Sequence, residues 1–185
     1  MKRVSWQKAL RFAFAVAALS FPLSGVFDTS TVFLNAAKWY IGAIIVLLIV
    51  GVGVVFDMLG LAAAAARETP FHAMASKRVY GAKKAITIVR NAEKVSSICS
   101  DVVGDIAGVL SGAGALAVSS QLSTSFGVTG WHRELIMIVL TAFITAVTVG
   151  LKAIGKTIAI HTPTPIVLFA ARVWTASSLA SRDRK

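Results

Sequence analysis

Cysteine is nearly absent: Cys99 is the single thiol in 185 residues. One thiol excludes an intrachain disulfide and any thiolate-bound metal within one chain. Charge is scarce as well, with 15% Asp, Glu, Lys and Arg against about 25% in an ordinary soluble domain. Acids are the scarcest of these, 8 against 19 Lys and Arg, which leaves a formal net charge of +11. The three histidines, His72, His132 and His161, are scattered outside the apolar runs, so no His/Cys cluster invites a soft metal. Apolar residues are abundant: 56% of the chain is hydrophobic and the mean hydropathy is +0.77. The few charges sit in short basic clusters between long charge-poor runs, the pattern of an integral membrane protein.

Four runs are expected to cross. Residues 1–27 resemble a secretory signal, with Lys2, Arg3, Lys8 and Arg11 ahead of FAFAVAALSFPLSGVF. No clear Ala-x-Ala cleavage site follows, so they are expected to stay as a first helix, short and interrupted by Pro22. The other apolar runs are 39–66, 95–119 and 135–151. Residues 67–94 are strongly basic, and Val79, Ala82, Ile86 and Val89 recur at helical spacing, which predicts an amphipathic helix along the membrane face. After the turn HTPTP, a C-terminal interfacial helix is expected. The fold class is therefore an all-α integral membrane protein of about four transmembrane helices with these two surface helices. Residues 1–38 form an extra N-terminal helix and loop, 39–172 the transmembrane domain, and 173–185 a basic tail.

With four crossings, the basic zones at 2–11, 67–94 and 152–185 fall on one side, predicting cytoplasmic termini in a multi-pass plasma-membrane protein. Trp6, Trp39, Trp131 and Trp174 lie near the ends of apolar runs, as in an interfacial aromatic belt. The net positive charge reads as orientation plus contact between the 67–94 segment and anionic lipid. A nucleic-acid partner would need that charge on a soluble face, and none is evident.

Acids at lipid depth are rare and by default functional. Asp57, Asp101 and Asp105 lie inside apolar runs. Ser97, Asp101 and Asp105 recur every fourth residue, and Ser100, Gly104, Gly108 and Gly112 form the adjacent stripe. Small residues let a neighbouring helix approach, so Gly108 and Gly112 are assigned to packing. Carboxylate, hydroxyl and opened backbone carbonyl are the oxygens a hard cation selects. The expected metal site is Asp57, Ser97, Ser100, Asp101, Gly104 and Asp105, with Mg²⁺ first among divalent cations. The rival expectation is structural, with the acids paired to Lys152 of the last span.

The order of elements resembles the transmembrane domain of the cyclin M/CorC family. GAKKA at 81–85 and NAEK at 91–94 match its basic segment, Gly104-Asp105 falls at its Gly-Asn motif, and KAIGKT at 152–157 falls on its Glu-x-x-Pro-Lys-Thr. The likeness covers roughly residues 40–172 and not the family's CBS-pair and C-terminal domains. It implies a homodimer of three-helix cores engaged in Mg²⁺ efflux, with Asp105 standing for the metal-binding Asn. Lys152 stands where the family has an acid and Gly155 where it has proline. The resemblance thus implies the fold more directly than the activity. Phe56-Asp57 and Gly104-Asp105 faintly resemble the paired motifs of intramembrane aspartyl proteases, but Val102 occupies the first glycine position and no enzyme is expected. A non-transporting membrane scaffold or regulator is the alternative to cation binding or transport.

Overall fold

The computed structural model describes residues 6–36, 38–127 and 130–182. Of the expected basic zones, Lys2, Arg3, Arg184 and Lys185 lie outside the described residues. Within them every regular element is helical: α1 (Trp6–Ala36), α2 (Trp39–Ala65), α3 (Glu68–Ser76), α4 (Ala82–Arg90), α5 (Ala92–Ser96), a π-helical segment (Ser97–Gly104), α6 (Asp105–Ser125), α7 (Trp131–His161) and α8 (Pro163–Arg182).

Among the described residues three helical stretches are long and apolar enough to cross a bilayer: Trp39–Ala65, Ala92–Ser125 and Trp131–His161. The expectation had a fourth. Helix α1 is long, but its apolar stretch runs only over Leu10–Pro22, short of the roughly 20 residues that hydrocarbon demands. Pro22 lies within the helix rather than ending it.

The chain divides into two units. The first comprises Met1–Gly51 and Asp105–Thr148. In it α1 packs along α6, whose buried side is built from small residues such as Ala107, Ser111, Gly114 and Ala115. Only 6% of the apolar window of α7 is buried, so its Ile and Val side chains require cover from lipid or another chain. The small-residue stripe does less than expected at one point: a Cβ on Gly112 would meet open space.

The second unit comprises Val52–Gly104 and Val149–Lys185. Its core joins Ala62, Ala63, Phe71, Ala85, Ile88, Ala159, Val167 and Ala171. Here the basic 67–94 segment is three short helices instead of one. Arg78 and Gly81 have φ of 57° and 86°, left-handed values that no helix continues through. Gly81 also lies against α8: a Cβ there would come within 3.1 Å of the Arg172 backbone nitrogen. The glycine of GAKKA is therefore required by both torsion and contact. The kink folds α4 back between α3 and α8, burying Ala82, Ala85 and Ile88.

Candidate functional site

Asp57, on α2, is 3% exposed. Its Oδ2 lies 3.2 Å from Nζ of Lys152 on α7. The same ammonium donates a 2.8 Å hydrogen bond to the carbonyl oxygen of Gly104. Gly104 closes the π-helical segment, where the hydrogen-bond ladder changes register before α6. Its missing side chain is required: a Cβ would come within 2.6 Å of Asp57 Oδ1. One turn back, Ser100 Oγ makes a long contact of 3.5 Å with the Asp57 carbonyl, and a Cβ on Gly60 would meet that hydroxyl at 2.6 Å. Two glycines thus let α2 and the π segment touch almost backbone to backbone, and the lysine bridges them from α7.

This arrangement departs from the stripe read off the sequence. Asp101 and Asp105 are exposed, and Ser97 is half-buried at the start of the π segment. The buried side of the π segment carries Cys99, Val102 and Gly104. The i, i+4 rule assumes α-helical winding, and a π segment bonds i to i+5, which rotates the following residues around the axis. The sheltered face therefore holds Gly104, and the carboxylates one residue on, and three back, turn outward. Among the described residues neither Asp101 nor Asp105 forms an ion pair, and no three His, Cys, Asp or Glu side chains come together in a way that could hold a metal ion. Gly108 is half-buried and its carbonyl accepts a 2.8 Å bond from Ser111 Oγ. On α7, Thr148 bonds back to the Ile144 carbonyl at 2.8 Å, the ordinary use of a helical threonine.

The oxygens facing Lys152 are one carboxylate and one carbonyl. Mg²⁺ requires near-octahedral oxygens at roughly 2.0–2.1 Å, and a second cation beside an ammonium would be repelled. The carboxylate and the carbonyl together hold the Lys152 ammonium.

A second charge cluster lies outside the candidate spans. Glu68 Oε2 accepts 3.1 Å from Arg90 Nε and lies 3.2 Å from His72 Nε2. The Arg90 hydrogen bond, then the His72 one, hold the Glu68 carboxyl below its ordinary value. This clip fastens α3 to α4.

Fold and site together define an all-helical protein with three helices fit to span a membrane and, between two of them, a buried acid paired with a partly buried lysine. No family model, curated protein or solved structure matches the chain.

Proposed function

We propose that this chain is a polytopic membrane scaffold or regulator with a helical core of the cyclin M/CorC type, in which the position foreseen for a metal ion is taken by the ammonium of Lys152. The observation that carries this reading is the double contact of Lys152, at 3.2 Å to Asp57 and 2.8 Å to the Gly104 carbonyl. Breaking a buried pair by removing one partner costs roughly 3–5 kcal/mol, because the remaining charge is stranded. Lys152→Ala should therefore lower the thermal midpoint in detergent by many degrees, and adding Asp57→Asn should recover much of the loss. Millimolar Mg²⁺ should leave the wild-type midpoint unchanged.

Divalent-cation binding or transport is the second reading, favoured by the convergence of carboxylate, hydroxyl and opened backbone on one spot. It requires the lysine to leave. Mg²⁺-dependent stabilisation of wild type, or of Lys152→Ala alone, would turn the assignment toward it.

We further propose a plasma-membrane location with both termini cytoplasmic, and a homodimer. Exposed carboxylates at lipid depth cost roughly 2.5–3.5 kcal/mol each, so Asp101 and Asp105 are surfaces that a second copy or water must cover.

A further inference from the structure

The second unit holds an open apolar cavity of about 740 Å³ that the acid–lysine site does not use. That volume lies within the roughly 300–1,000 Å³ of ligand sites. Met58 and Leu59 of α2, Cys99 of the π segment, and Phe169, Ala170 and Trp174 of α8 line it. Phe169 is 70% exposed and Trp174 47% exposed, so the walls are finished only when something apolar lies between them. At the Trp174 edge the lining is no longer purely apolar. Lys84 Nζ sits 5.2 Å from the centre of the Trp174 ring, a cation–π contact that parks a positive charge at the rim. Among the described residues Lys84 has no acidic partner within ion-pair distance. It lies on α4, in the segment where Lys77, Arg78, Lys83 and Arg90 also cluster.

We propose that this cavity is a binding site for one anionic glycerophospholipid of the surrounding bilayer. An acyl chain lies between α2 and α8 over Cys99, and the phosphate sits on Lys84 beside the Trp174 ring. The chemistry at each end selects this occupant: an apolar slot requires a chain, and an ammonium held on an interfacial indole attracts an anion at headgroup level. A zwitterionic lipid offers the same chain but gains less from the lysine. One interfacial cation adds about fivefold in affinity. The proposal rests on the membrane reading above and on nothing at the Asp57–Lys152 pair.

The test uses the full chain in detergent, with phosphatidylglycerol and phosphatidylcholine of matched chains, followed by native mass spectrometry. Phosphatidylglycerol should be retained about fivefold more tightly. Lys84→Gln should abolish that preference, and Ala170→Phe, which fills the slot, should abolish retention of both lipids. Cys99 supplies an independent readout as the sole thiol: phosphatidylglycerol should slow its alkylation in wild type and in Lys84→Gln at higher lipid, but not in Ala170→Phe. Equal retention of the two lipids by wild type, or alkylation of Cys99 indifferent to lipid, would overturn the site. Resistance of the chain to carbonate extraction from membranes is measured alongside, because its loss would sink the membrane reading itself.

Discussion

Gly104 shows how much a single absent side chain can decide. The carboxylate of Asp57 lies where its Cβ would be, and its carbonyl holds the lysine that neutralises that carboxylate. A methyl group here has no flexible neighbour to displace, because the opposing atoms are a buried carboxyl already held by Lys152. Gly104→Ala should therefore destabilise the protein by roughly 1–3 kcal/mol, the range for forcing atoms into a packed site, and should do so more than Gly112→Ala, whose Cβ meets nothing. Thermal unfolding in detergent checks the comparison, and equal midpoints for the two variants would count against the close approach. The contrast also bears on reading sequences. Both glycines lie on one stripe in the sequence, and only the structure distinguishes a packing position from an open one.

At the scale of elements, the basic segment illustrates periodicity read through a break. Its apolar spacing was visible, and α4 does bury one face; but the run is cut by left-handed torsions at Arg78 and Gly81. Helices this short are marginal alone and depend on tertiary contacts. The Glu68–Arg90 bond is one of these contacts. Its carboxyl is held below the ordinary glutamate value of 4.5, so its contribution is complete above that pH and disappears as pH falls through the lowered folded value. The group is solvent-exposed, so the effect is small. Hydrogen exchange should show α3 amides losing protection on acidification below pH 4.5 in wild type, with Glu68→Gln already at the lower level at neutral pH. Acid-independent protection in wild type would remove the clip from the account.

For the whole molecule, sidedness follows from counting spans. The 67–94 segment and the residues after α7 are separated by two candidate spans, so the topology we propose puts them on the same face whether or not α1 crosses. Only the N-terminus depends on α1. In a Cys99→Ser background, cysteines introduced at Lys77 and Lys156 should react with an impermeant maleimide from the cytoplasmic side, and one at Trp6 should join them if α1 completes the fourth crossing we propose. Labelling of Trp6→Cys from the opposite side would reduce the count to three; opposite labelling of the first two would break the topology.

Sequence alone determined the all-helical class, the placement of three long apolar helices, and the rarity of acids within them, because hydropathy and composition are summed along the chain and need no partner. It also named Lys152 as a possible counter-ion. Tertiary structure decided which acid is buried. The choice of Asp57 over Asp101 and Asp105 turns on a π segment and on two glycines facing α2, and these depend on atoms brought together from residues more than forty positions apart.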